Sequence, residues 1–293
     1  MISRRKFIGY GSAAVAYAAG GARFANANAL GLPLGIQLYS VRQQLQQDYD
    51  KALADVASAG FQEVEAAGFY GRTSTQVQQA LQKVGLRCVS SHVSYRDLNS
   101  KFDEVVAFHK ELGAKYIICP GPASKDSTPG PNGKPKPMTI EDWRWFAGEL
   151  NRLGEKTKAA GITLGYHNHV HEFEPVDGGV PYAELLRIMD PKITTLELDC
   201  GWASVAGHKP QDLMRDHPNR FSMLHIKDFK LGSKSSEAKV TELGLGDIDY
   251  KPILAQATKT QKIRHLFVEQ EAFTMPYMDS LKTDAKYMRD LKA

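Results

Sequence analysis

Carboxylate and imidazole residues recur in this sequence at the ends of short apolar runs: Glu63 and Glu65, then His92, then His167-Asn168-His169 followed by His171 and Glu172, then Asp199, then His225, and finally Glu269 with Glu271. Mixed carboxylate and imidazole donors without thiolate suit a divalent metal ion such as Mn²⁺, Mg²⁺, Co²⁺ or Zn²⁺ rather than copper(I) or an iron-sulfur cluster. With protein ligands on one side of such an ion, the open side accepts two adjacent substrate oxygens. A hydroxyl and a neighbouring carbonyl held in this way favour proton abstraction between them through an enediolate. One polar residue closing an apolar run merely begins a loop, and read singly Asp199 is a loop cap and His225 a core imidazole. Six of eight runs closing on such residues point to a shared site.

The runs themselves define the elements that must position these groups. Segments 34–41, 61–66, 86–92, 115–120, 162–167, 194–199, 221–226 and 265–270 have strand character, and amphipathic stretches at 48–59, 74–84, 101–112, 141–160, 181–189, 210–216, 250–260 and 277–291 separate them. In 101–112 the residues Phe102, Val105, Val106, Phe108 and Leu112 recur at helical spacing. Gly60, Gly85, Gly113 and Gly161 each stand where a helix would hand over to the next strand. Eightfold strand-helix alternation predicts a (β/α)8 TIM barrel, whose active site lies at the C-terminal ends of the strands. Residues 121–138 (GPASKDSTPGPNGKPKPM) have no apolar period and read as a long surface loop on that face, either a lid or a tolerated insertion.

Composition sets the class. A chain of 293 residues with 42% hydrophobic and 24% charged residues has the balance of a folded globular protein, not of a disordered, collagen-like or multi-span membrane chain. The N-terminus is the exception. Ser3-Arg4-Arg5-Lys6 precedes a weakly apolar stretch, Tyr10 to Gly21, and then Ala25-Asn26-Ala27-Asn28-Ala29. That order is expected of a cleaved twin-arginine signal peptide over 1–29, and the apolar stretch falls short of the ~20 residues that span a bilayer. The expectation is thus a single barrel domain at 34–293, delivered to the periplasm by the twin-arginine machinery, with no stable membrane association afterwards.

The formal charge of +4 includes Arg4, Arg5, Lys6 and Arg23, so removing them leaves 33 basic and 33 acidic residues. A neutral exported chain carries no footprint for a phosphate backbone, which argues against nucleic acid as a partner. Cys88, Cys119 and Cys200 are odd in number and lie in apolar runs, so they read as buried free thiols.

The segments YHNHVHEFEP (166–175), LELDCGWASVAGHKP (196–210), HIKDF (225–229), GLGDIDY (244–250) and FVEQE (267–271) resemble the xylose-isomerase-like TIM-barrel superfamily of sugar phosphate isomerases and epimerases, and within it the exported branch with twin-arginine signals. The resemblance runs from about residue 34 to the end. It implies a metal held by residues on strands five to eight, of which Asp199, His225 and Glu269 match. At the fifth strand many relatives have Glu-Asn-His where this chain has His167-Asn168-His169. Either His167 takes over, which is the preferred reading, or Glu172 reaches back from the loop.

Glu172, Glu269 and Glu65 are the candidate proton carriers, Glu65 either as a partly buried carboxylate of raised pKa or in a surface salt bridge. His92, His169, Trp202, Lys227 and Glu271 are the candidate substrate contacts. Trp202 and Phe69 stack on a sugar face or pack in the core, and Asp228 fixes a loop. The implied activity is metal-dependent isomerisation or epimerisation of a sugar or keto-sugar. Export and the lack of a Gly-rich phosphate loop point to a non-phosphorylated small-molecule substrate. The alternatives are a lyase or hydratase acting on 3-keto-glycosides and a non-catalytic carbohydrate-binding barrel. A homo-oligomer is compatible with all of these.

Overall fold

The computed structural model describes residues 28–126, 128 and 136–292. All of the expected signal segment except Asn28 and Ala29 lies outside the described residues, as does the middle of the 121–138 loop. Eight parallel strands close into a barrel: β1 (Gly35–Gln37), β2 (Glu63–Ala66), β3 (Arg87–His92), β4 (Tyr116–Cys119), β5 (Thr163–His167), β6 (Thr194–Asp199), β7 (Phe221–Ile226) and, last in the chain, β10 (His265–Val268), which pairs with both β7 and β1. The intervening β8 (Asp228–Lys230) and β9 (Lys239–Thr241) form a separate antiparallel hairpin after β7. The eight expected helices are present with boundaries within a residue of those expected.

Their construction follows the sequence. The longest, Ile140–Ala159, starts at Thr139, whose hydroxyl accepts from the Asp142 amide while the Asp142 carboxylate accepts from the Thr139 amide. Its Trp143, Phe146, Leu150 and Leu153 face inward, burying an apolar stripe against the barrel. Gly60, Gly85, Gly113 and Gly161 all have positive φ, so they serve as the left-handed caps that end helices.

Inside the barrel, Ile118, Met223 and Phe267 form a closed apolar floor. Two glycines make that floor possible. A Cβ at Gly35 would stand 2.7 Å from the Phe267 ring, and one at Gly165 would stand 2.5 Å from Cδ1 of Ile118. The strand-end carboxylates and imidazoles lie above this layer, toward the C-terminal ends of the strands.

Two strands end two or more residues before the expected runs do. The first ends at Gln37, whose Oε1 accepts from the Tyr39 amide and turns the chain into a 3-10 turn over Leu38–Val41. The last ends at Val268, and the Gln270 amide beyond it donates to Ser40 Oγ instead of continuing a ladder. Three helices of six residues, Arg42–Gln47, Tyr95–Ser100 and Cys200–Val205, were not expected from the pattern. Each is too short to display a periodic face. The three cysteines are buried and free, and no described helix is long and apolar enough to cross a membrane.

Candidate metal centre and active site

Strand register decides which side chains meet. His167 on β5 pairs with Glu197 on β6, and Asp199 on β6 pairs with His225 on β7. Glu197 and Asp199 are two apart on one strand, so both point into the barrel, one layer above the other. Glu65 enters from β2 and His92 from the end of β3, while Lys227, Glu269 and Glu271 follow the ends of β7 and β10.

The result is one continuous buried cluster. In its lower layer, Glu65 Oε1 lies 2.9 Å from His92 Nε2 and 2.8 Å from His225 Nε2, and it also accepts from Gln37 Nε2 at 2.8 Å. Glu197 Oε2 lies 3.1 Å from His92 Nε2, 3.2 Å from His167 Nδ1 and 3.1 Å from His225 Nε2. In the upper layer, Lys227 Nζ stands 2.9 Å from Asp199 Oδ2, 2.9 Å from Glu269 Oε2 and 2.7 Å from Glu271 Oε1, and His225 Nδ1 stands 3.0 Å from Glu269 Oε2.

The local framework is visible in the motifs. Asp199 uses Oδ1 to accept from the Trp202 amide at 2.7 Å, capping the Cys200–Val205 helix, and turns Oδ2 toward Lys227. The loop-cap reading holds, and the same carboxylate lies within the buried cluster. Gly201 is required because a Cβ there would meet the Lys227 Cβ at 2.7 Å. Asn168 exchanges hydrogen bonds with the Asp199 backbone, and Tyr250 donates its hydroxyl to the Lys227 carbonyl and accepts from its amide. Asp228 receives four backbone amides, from Phe229, Gly244, Gly246 and Ile248, and so ties down the 244–248 loop.

Electrostatics sort the groups. Burial disfavours charge throughout, yet the Glu65 and Glu197 carboxylates overcome it at His92, which is pushed up to about 9, and His225 is raised by the same kind of contact. His167 goes the other way, held neutral by burial and by the neighbouring imidazoles and Lys227, and His169 is lowered to about 3 by burial and by Lys227. Burial raises Asp199. At Glu269 burial is outweighed by Lys227 and His225, and its carboxyl is held well below the usual range.

Several expected placements need correction. Glu65 is neither a partly buried base of raised pKa nor a surface salt bridge. It is fully buried, and His92 and His225 overcome desolvation to keep it strongly ionised. Glu172 does not reach the cluster: Tyr166 donates to its Oε1 at 2.5 Å and the His169 amide to its Oε2 at 2.8 Å, so it fastens the turn after β5, with burial raising its pKa. Lys227, the candidate oxyanion holder, is wholly buried beneath the Trp202 ring, with its ammonium paired to Asp199, Glu269 and Glu271. Phe69 packs on Phe108, with ring centroids 4.4 Å apart, away from the cluster. Glu63, at the start of β2, lies at the other pole, paired with Arg87 and His265 at 2.7 Å each.

The groups nearest solvent are Glu271, with its side chain 29% exposed, and His92 at 12%. Trp202 donates from Nε1 to Glu271 Oε1 at 3.1 Å, and His169 lies between Trp202 and His167. Glu197 was missed from the sequence. Its signal was its position two residues before Asp199 on the same strand face.

The donors fit a divalent ion. Among the described residues Glu197 Oε1 is buried without a hydrogen-bond donor, Asp199 Oδ2 is met by Lys227 Nζ at 2.9 Å, and of the five carboxylates three meet that ammonium while Glu65 and Glu197 meet imidazoles. Two sets of donor atoms, each within 4.8 Å of one another, could hold the ion: His92, His167, Glu197 and His225, or His167, Asp199, His225 and Glu269.

Residues 53–291 match the family model described as xylose isomerase-like TIM barrel. The chain belongs to this family. It is 26% identical over 272 residues to an inosose dehydratase of Geobacillus thermodenitrificans (strain NG80-2), covering 83% of this chain and 89% of that one. Two solved structures from Parabacteroides distasonis ATCC 8503, each described as a sugar phosphate isomerase/epimerase, superpose well. One has a TM-score of 0.70 at 28% identity, covering 87% of this chain and 93% of that one, and the other 0.73 at 25% identity, covering 88% and 98%. The chain is therefore a member of an enzyme family whose named relatives include both isomerases or epimerases and a dehydratase.

Proposed function

We propose that this protein is a divalent-metal-dependent enzyme that removes a proton next to the carbonyl of a non-phosphorylated sugar or keto-sugar and returns it as an isomerase or epimerase. The observation that carries this reading is the buried carboxylate and imidazole cluster at the C-terminal mouth of the barrel, open to solvent through Glu271 and His92. A bound ion supplies Lewis-acid stabilisation of charge developing on substrate oxygen.

The chain's own residues do the rest. Glu271 is the partly exposed carboxylate at the mouth and takes the proton, since Glu269 is buried between Lys227 and His225. The Lys227 ammonium balances negative charge arising on the substrate oxygen. His169 accepts from or donates to hydroxyls, and Trp202 offers an apolar face to the ring.

A second reading, dehydration of a keto-sugar or a 3-keto-glycoside, is favoured by the inosose dehydratase relatives. The same base acts, and the enolate expels a β-oxygen instead of being reprotonated. Export through the twin-arginine route to the periplasm belongs to this proposal as well, on the strength of Arg4-Arg5 and the small residues at 25–29. NMR of a panel of mono- and disaccharides and their 3-keto forms, incubated with protein and Mn²⁺, tests the assignment. A rearranged sugar supports the first reading, an unsaturated ketone the second, and no turnover across the panel refutes both.

A further inference from the structure

His167 and His225 each present one ring nitrogen to the lower layer and the other to the upper. His167 turns Nδ1 to Glu197 and Nε2 to Asp199, while His225 turns Nε2 to Glu65 and Glu197 and Nδ1 to Glu269. The two candidate donor sets are thus two separate cation positions on opposite edges of the same two imidazoles. They differ in what already occupies them.

The upper position contains a cation. Lys227 Nζ is 2.9 Å from both Asp199 Oδ2 and Glu269 Oε2, the carboxylate oxygens that would complete that set. The Lys227 backbone is fixed by its bonds to Tyr250 and by the close approach of Gly201 to its Cβ, and the ammonium is held by the three carboxylates around it.

Among the described residues no lysine or arginine pairs with the lower set. Three imidazole nitrogens converge on one oxygen of Glu197 at 3.1–3.2 Å, close to the spacing of about 3.4 Å between tetrahedral ligands bonded at ~2.0–2.2 Å to an ion. The other oxygen, Glu197 Oε1, is buried and receives no hydrogen bond.

We propose that Glu197 supplies the carboxylate that the fifth strand lacks, and that the divalent ion is held in the lower layer by His92, His167, Glu197 and His225, with the Lys227 ammonium serving as the resident cation of the upper layer. The proposal rests on the reading that this cluster binds a divalent ion, and it makes Glu197 a metal ligand and Glu269 a partner of Lys227. The division of labour puts the ion behind His92 and leaves Lys227, Glu271 and Trp202 to line the path to substrate.

The test is anomalous scattering from crystals of the full-length wild-type protein loaded with Mn²⁺ or Zn²⁺, joined to calorimetric Mn²⁺ titrations of wild type, Glu197→Gln and Glu269→Gln. The expected result is one peak within bonding distance of Glu197 and His92, with affinity falling about 100-fold in Glu197→Gln and less than about 10-fold in Glu269→Gln. A single peak between Asp199 and Glu269, or an unchanged affinity in Glu197→Gln, overturns the inference while leaving metal dependence intact. Absence of both peak and binding overturns it together with the metal-dependent reading.

Discussion

Replacing Lys227 by methionine keeps most of the side-chain volume and removes the only ammonium among the described residues that pairs with Asp199, Glu269 and Glu271. The lysine is fully buried, with burial outweighed by these three carboxylates, so that its pKa lies far above the ordinary lysine range. Removing one partner from a buried ion network leaves uncompensated charge and costs about 3–5 kcal/mol. For a barrel of this size that corresponds to a fall in Tm of roughly 10 °C. The assay is thermal unfolding followed by circular dichroism at pH 7 in the presence of a chelator. Lys230→Met is the control, because Lys230 meets Asp247 at 3.4 Å with both side chains well exposed, and solvent screens such a pair so that it adds little to stability. Equal melting temperatures for Lys227→Met and the control would refute the claim that the ammonium holds the upper carboxylates together.

Two further outcomes are expected. Asp284 is buried, accepts one bond from the Leu243 amide at 2.7 Å and leaves Oδ2 without a partner, and burial pushes its pKa up to about 8. Its neutral form therefore stabilises the fold fully below the unfolded carboxyl pKa of about 3.9 and loses that contribution as pH rises through about 8, an upper limit of about 5 kcal/mol. Urea titrations at pH 5 and pH 8.5 should show Asp284→Asn losing less stability than wild type across this window, and parallel losses would contradict the assignment. Export processing is expected to remove the leader through Ala29. Intact-mass measurement on protein secreted with its own leader checks this: a mature chain beginning at Leu30 is expected, and a secreted chain that keeps Arg4-Arg5 would contradict it.

The fold was legible because the barrel repeats one unit. Apolar runs closed by polar residues gave the strands, helical spacing gave the outer ring, and four glycines gave the turns between them. Local hydrogen bonds set the misses: Gln37 ends the first strand by capping its own turn, and the six-residue helices carry no periodic face.

At the site, the residues closing strands were visible one at a time, but their layers were not. Glu197 looks like any interior strand residue until register places it opposite His167. Glu172 looked like a base because it follows three histidines, and only its bonds to Tyr166 and the His169 amide show that it fastens a turn. Charge balance across the cluster, which sets the pKa of each member, depends on distances that a linear sequence does not contain.

Solvent-deuterium incorporation into a keto-sugar tests the central claim most directly, because exchange of the hydrogen beside the carbonyl reports enolate formation whether the product is an isomer or an alkene. Metal-loaded protein in deuterium oxide is expected to exchange that hydrogen, to stop when the ion is chelated, and to resume when Mn²⁺ is restored. Exchange that persists unchanged under chelation, or no exchange with any keto-sugar that binds, would contradict the account.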